Sequence, residues 1–221
     1  MTADQNSTSP SNELLIVVGI KREARIVGDR ARVLVGGRGL DPALWEGTAA
    51  VMSFGLCGAL DPAFKVGDLV IGTGVIGGGA RDYETDAAWR AKIAAALPDA
   101  KLAAFAASHA IVGSIEAKAA LHAKTGAGAV DMESYLAARG AADFGVPFAI
   151  LRAVSDSAAT SLSPTVQAGF RDDGSVDIGA ILRALIARPW QIGSLISAGQ
   201  DANRAFRTLT AAADAALGVR P

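Results

Sequence analysis

Short runs of Val, Ile and Leu that are apolar on both faces recur along the chain, at Leu14–Ile20, Arg32–Val35, Ala49–Phe54 and Phe148–Val154. Runs of this length predict strands of a sheet covered by helices on both sides. A fifth run, Leu69–Ile76, contains Gly72 and Gly74 and predicts a strand with a bend or bulge. Helical patterns fill intervals around Asp41–Trp45, Asp86–Leu97, Ile115–Lys124 and Met132–Phe144. Strands alternating with helices predict a layered α/β fold with a largely parallel sheet.

Beyond Ser157 the pattern changes. Ser161–Pro164 and Arg171–Ser175 read as loops, followed by helical segments at Ile178–Ala187 and Ile192–Leu217 that Pro189 should separate. Met1–Asn12 is polar, lacks the order of a signal peptide, and reads as a disordered leader. The expectation is one domain over 13–221 with a helical C-terminal extension.

Composition narrows the function classes. The chain has 221 residues, 51% hydrophobic and 19% charged, with a net charge of −1. It has no basic block to neutralise a run of phosphates, which argues against nucleic acid as a partner. Cys57 is its one cysteine, so no disulfide closes within the chain. No apolar run approaches the ~20 residues of a membrane-spanning helix. The cytoplasm is the expected compartment.

In open α/β sheets ligands collect at the carboxyl ends of strands. Gly19 with Lys21–Arg22, Gly36–Gly39, Gly55–Gly58 and Ser155–Asp156 all follow predicted strands. Asp156 ends an apolar strand, where partial desolvation suits an acid, although capping a following helix would also suit it. Asp131 and Glu133 lie at the start of a helix, where acids favour the dipole. A carboxylate at Glu133 can also accept two hydrogen bonds from a vicinal diol, and Met132 offers an apolar surface to a sugar. Gly55 and Gly58 permit close backbone approach to a ligand, but no dinucleotide or phosphate-loop fingerprint is present.

The order of Gly19, Phe54-Gly55-Leu56-Cys57-Gly58, Val66-Gly67-Asp68-Leu69-Val70-Ile71, Val130-Asp131-Met132-Glu133 and Val146–Asp156 resembles the purine nucleoside phosphorylase and methylthioadenosine/adenosylhomocysteine nucleosidase superfamily. Within it, Val18–Ala24 and Val176–Leu182 are most similar to the hopanoid-associated phosphorylases, thought to remove adenine from adenosylhopane. The resemblance implies a three-layer phosphorylase/hydrolase-like fold with a central mixed, largely parallel sheet. It also implies cleavage of the N-glycosidic bond of a purine nucleoside by a homo-oligomer needing no metal or redox cofactor. By similarity Asp156 acts on purine N7, Arg152 orders the Asp156 loop, and Glu133 and Met132 hold the ribose. Gly58, Cys57 and Ser155 would line the substrate.

Nucleosidases of the superfamily carry a water-activating carboxylate after the first strand. Counting from Gly19 places Ala24 there, preceded by Lys21-Arg22-Glu23. Lys21 and Arg22, with Gly19, are therefore expected to bind phosphate as co-substrate, although a solvated turn is an equal alternative and Glu23 is within reach of a water. The competing expectations are a hydrolytic nucleosidase and a nucleoside-binding module without turnover. A hydrophobic 5′ substituent would be lipid-borne, so Pro189–Ile196, apolar with Trp190, is a candidate for weak membrane association. The two histidines, His109 and His122, fit no motif and are expected at the surface.

Overall fold

A computed structural model describes residues 13–36, 42–77, 82–163 and 191–221. Its strands are β1 (Glu13–Val18), β2 (Arg32–Val35), β3 (Thr48–Ala59), β4 (Leu69–Ile76), β5 (Tyr83–Glu84), β6 (Lys101–Ala107), β7 (Ala129–Asp131) and β8 (Phe148–Asp156). Its α-helices are α1 (Lys21–Val27), α2 (Ala87–Ala96), α3 (Ile115–Thr125), α4 (Ser134–Phe144) and α5 (Ile192–Leu217). All eight strands join one mixed sheet. The α/β expectation holds.

Side chains alternate in and out along a strand, so a strand apolar at every position feeds two cores. On β1, Leu14, Ile16 and Val18 join Met52, Phe54 and Leu151 beneath α2 and α5. Leu15 and Val17 join Val51, Ile150 and Val154 against Ala137, Ala138 and Ala141 of α4. These two apolar faces, each covered by helices, are the physical basis of the layered architecture.

The sheet also closes on itself. β3 pairs in parallel with β8, β8 antiparallel with β4, β4 in parallel with β6, β6 in parallel with β7, and β7 antiparallel with β3. Gly58 consequently lies in register with both Val130 and Asp156. The circuit therefore brings the carboxyl ends of β3, β7 and β8 together.

Several expected boundaries move. The segment Gly55–Gly58, expected after a strand ending at Phe54, continues β3 as a strand because β8 and β7 hydrogen-bond to it. At Gly55 (φ +154°) a side chain would collide with the Glu23 carboxyl group, so a glycine there marks a close approach. β6 and β7 were not anticipated: β6 is alanine-rich and β7 spans only Ala129–Asp131, which hides both from an apolar-run criterion. The expected helix at Asp41–Trp45 is a single 3-10 turn at Pro42–Leu44, and α4 starts at Ser134 rather than Met132. The expected register irregularity in β4 falls between Gly72 and Gly74. Met1–Asn12, Ile178–Ala187, Arg171–Ser175 and Pro189 lie outside the described residues.

α4 packs closely at Gly140, where an added Cβ would overlap the indole of Trp45, itself 1% exposed. Gly140→Ala gains up to about 1 kcal/mol of helix propensity, while overpacking costs about 1–3 kcal/mol. Packing should win. Urea denaturation followed by fluorescence is expected to show a lower midpoint for Gly140→Ala; a raised midpoint would contradict this packing.

Candidate active site

A cavity of about 630 Å³ opens where the ends of β1, β3, β7 and β8 converge. Glu23, Asp131, Glu133 and Asp156 line it, and Arg152 is the lining guanidinium among the described residues. Gly19, Gly36, Gly58 and Ser155, each expected near a strand end, also line it. Met132, Ile111, Val112 and Leu162 give it an apolar part. Met132 is 46% exposed, an unusual placement for a large apolar side chain on the wall of a cavity.

Arg152 organises the acids. It projects from the middle of β8 and is 1% exposed. Its Nε faces Asp131 Oδ2, and its Nη1 lies 3.0 Å from Glu133 Oε2. Nη1 also donates to the Leu56 carbonyl (2.9 Å), and Nη2 to Ser53 Oγ (2.7 Å). Asp131 is bound in turn by the backbone N–H and hydroxyl of Ser134 at the start of α4. Burial opposes charge on Arg152, but Asp131, Glu133 and Glu23 outweigh it and raise its pKa further. It is a fixed cation.

Glu133 occupies the N-cap position of α4, with no side-chain cap bond of its own. Its carboxyl group is thereby available to Arg152 and the cavity. Burial pushes its pKa from 4.5 to about 7, with Arg152 lowering it and the nearby Asp131 and Glu23 raising it. Its carboxyl lies so close to Gly19 that a Cβ at that position would stand 2.8 Å from Oε1.

Glu23 is the third residue of α1 and is 3% exposed. Its Oε2 accepts from the backbone N–H of Gly19 (2.8 Å) and Ile20 (3.0 Å), while Oε1 accepts from Leu56 N–H (2.7 Å). An acid at the third position of a helix reaches back to the residues before it, which fixes this geometry. Burial raises its pKa, opposed by Arg152 and those three N–H groups. Three of roughly four lone-pair directions are filled, leaving one for a ligand or water.

Asp156 ends β8 and is 7% exposed. Its Oδ1 accepts from Ser155 Oγ (2.8 Å), and its Oδ2 lies 2.5 Å from Lys118 Nζ. Lys118 was not anticipated from sequence. It is the fully buried residue of α3, whose other positions are half-buried or exposed.

Other expectations need correction. Arg152 does not hold the Asp156 loop; its bonds go to Asp131, Glu133, Ser53 and Leu56, and Lys118 takes that part. Lys21 and Arg22 lie on the exposed face of α1, and the Arg22 guanidinium stacks 3.9 Å from the Phe206 ring centroid. The reason is helical phase: α1 begins at Lys21, so Glu23 turns inward while Lys21 and Arg22 turn out. Ala24, where counting from Gly19 placed the carboxylate, packs against the core. The Cys57 side chain also enters the core, with burial pushing its thiol pKa up, and only its carbonyl meets Ser155 Oγ (3.1 Å). His109 lines the cavity while remaining exposed, but His122 is half-buried and bonds through Nδ1 to the Ala127 carbonyl (2.8 Å). Among the described residues no group of three His, Cys, Asp or Glu side chains is placed to hold a metal ion.

The raised pKa of Glu133 has a thermodynamic consequence. As pH rises from 4.5 to about 7 the native protein keeps a proton that the unfolded chain releases, so this group makes stability fall over that window and level off above it. The size is on the order of 3 kcal/mol. Glu133→Gln should therefore remove part of the decline in urea-unfolding free energy measured between about pH 5 and about pH 8. Superimposable pH profiles for the two proteins would contradict the assignment.

Comparison with known proteins sets this geometry in context. The phosphorylase superfamily matches residues 43–187. A search of curated protein sequences gave no match. Among solved structures, 5′-methylthioadenosine/S-adenosylhomocysteine nucleosidase from Neisseria meningitidis is similar with a TM-score of 0.65 and 16% identity, covering 94% of this chain and 98% of that one. The corresponding Helicobacter pylori nucleosidase gives 0.62 and 18%, covering 92% and 98%. Helicobacter pylori futalosine hydrolase gives 0.62 and 16% over the same shares. At these identities the likeness is one of fold. The match over residues 43–187, which span β3 to β8 and carry Asp131, Glu133, Arg152 and Asp156, shows that the chain belongs to the phosphorylase superfamily.

Proposed function

We propose that this protein hydrolyses the N-glycosidic bond of a purine nucleoside, with water as the nucleophile and Glu23 as its base. The observation that carries the proposal is the placement of Glu23, buried at the cavity beside Glu133 and Arg152, while Lys21 and Arg22 face away from it. That placement removes the support that the sequence lent to a phosphate site at Lys21-Arg22. It supplies instead a carboxylate at the cavity, its pKa raised by burial, with one lone-pair direction left for a water.

In this mechanism the water oxygen forms a bond to C1′ and its proton passes to the free lone pair of Glu23. The C1′–N9 bond breaks with its electron pair going to the purine, and N7 takes up a proton passed to it through the Asp156 carboxyl group. Glu133 accepts hydrogen bonds from the ribose hydroxyls, and Met132 packs beneath the sugar. The ribose gains oxocarbenium character as the bond lengthens, and the acids around it stabilise that charge. A purine nucleoside enters without a redox cofactor or metal. The apolar lining at Ile111, Val112 and Leu162 suits an apolar 5′ substituent, whether a thioether or a longer hydrocarbon. The structural neighbours carry the same kind of name: one is a methylthioadenosine/adenosylhomocysteine nucleosidase, another a futalosine hydrolase.

A panel of purine nucleosides, including 5′-apolar adenosines, tests this with and without phosphate. Base release should proceed at the same rate in both buffers and yield free ribose. Glu23→Gln should lower kcat by ~10²-fold or more with a small change in KM. Saturable dependence on phosphate with a ribose 1-phosphate product would establish phosphorolysis instead. Failure to release base from any nucleoside would favour a binding module.

A further inference from the structure

One buried cation stands outside the chemistry described so far. Lys118 has no solvent exposure. α3 turns Lys118, Leu121, His122 and Thr125 toward the protein, three and four residues apart, so an ammonium occupies a position an aliphatic side chain would ordinarily fill. Its Nζ donates to Asp156 Oδ2 (2.5 Å), the Ser157 carbonyl (2.7 Å) and the Thr160 carbonyl (3.0 Å). Three donors meet three acceptors. The segment held this way is closed by a Ser157–Thr160 hydroxyl contact (2.8 Å) and docked through Leu162 N–H on the Gly113 carbonyl (2.8 Å).

Taking an ammonium wholly out of water costs several kcal/mol before pairing, and a well-packed apolar residue often replaces a buried ion pair with no loss. Fold stability alone therefore gives little reason for a lysine here. Its three bonds converge on the carboxyl group at the base end of the cavity and on the backbone that follows it. We propose that Lys118 is a positioning residue for glycosidic cleavage, fixing the Asp156 carboxyl group and the segment 157–160 against the leaving base. The inference rests on the proposed function. It adds that leaving-group assistance by Asp156 depends on α3, an element whose other inward residues are structural.

Without Lys118 the carboxyl group loses its Oδ2 partner and the segment loses two carbonyl contacts. A displacement of about 1 Å at a reacting group costs on the order of 10²-fold in rate. The loss should be selective. A purine needs assistance at N7 to depart, whereas 4-nitrophenolate leaves as a stable anion, so a 4-nitrophenyl riboside reports on the water-activating half of the site alone.

The test compares the full-length protein with Lys118→Met, Lys118→Gln, Asp156→Asn and Glu23→Gln on a purine nucleoside and on 4-nitrophenyl β-D-riboside, after circular dichroism and thermal melting establish which variants fold. Lys118→Met should lower kcat for the purine nucleoside on the order of 10²-fold, with the riboside changed by less than about threefold. Lys118→Gln, which keeps an N–H donor, should fall between it and the native protein, and carries the test by the same ratio if the methionine variant does not fold. Asp156→Asn should show the same selectivity, and Glu23→Gln should slow both substrates. Equal loss on both substrates for a folded Lys118 variant, or no loss on the purine, would overturn the role of Lys118. If Asp156→Asn itself spares purine release, the proposed function fails instead.

Discussion

The cavity depends on a single buried guanidinium. Arg152 sits in the middle of a sheet strand, 1% exposed, with Asp131 and Glu133 on two of its nitrogens and Glu23 close enough to feel its charge. Arginine suits this position because its planar fork offers five fixed donors and keeps its charge when buried. A lysine at 152 would present one point charge to acids arriving from different directions. The rest of the arrangement follows from serving that cation: β7 ends at Asp131, the same aspartate accepts from Ser134 where α4 begins, and Glu133 lies in the two-residue link between them.

Networks of this kind are weak grounds for stability. Desolvation of each ion costs several kcal/mol, and the attraction returns it only if every partner is satisfied. Here the satisfaction is uneven. Asp131 is held by Arg152 and Ser134, and Glu23 by three backbone N–H groups, whereas Glu133 has Arg152 and otherwise faces the cavity. The least satisfied acid is the one expected to receive a diol. On the proposed function, a bound ribose would supply the missing donors.

The fold and half of the site were legible because β8 and the β7–α4 junction are local. An apolar strand ending in Ser155-Asp156 declares both a buried element and the polar residues at its carboxyl end. Glu133 was legible from its own neighbours. The errors lie where side-chain direction depends on helical phase or on partners distant in sequence. Counting from Gly19 pointed to Ala24, but α1 begins at Lys21, and one residue in a helix turns a side chain by about 100°. Glu23 faces inward as a result and the two cations do not. Lys118 was invisible for a different reason: nothing within α3 announces that a residue 38 positions later needs a partner. β6 and β7 were missed because alanines and a three-residue strand carry little hydrophobic pattern, although the sheet closes only through them.

Four acids and, among the described residues, one guanidinium line the same cavity, and the proposed hydrolysis requires this environment to favour a cationic sugar over the neutral nucleoside. This preference is the central physical claim, and it can be measured without turnover. Calorimetric titration should compare a nucleoside analogue whose ribose is replaced by a cationic pyrrolidine with its uncharged cyclopentyl counterpart. The account predicts that the cation binds at least ~10²-fold more tightly, and that most of this advantage disappears in Glu133→Gln. Equal affinity for the two analogues in the native protein would contradict it.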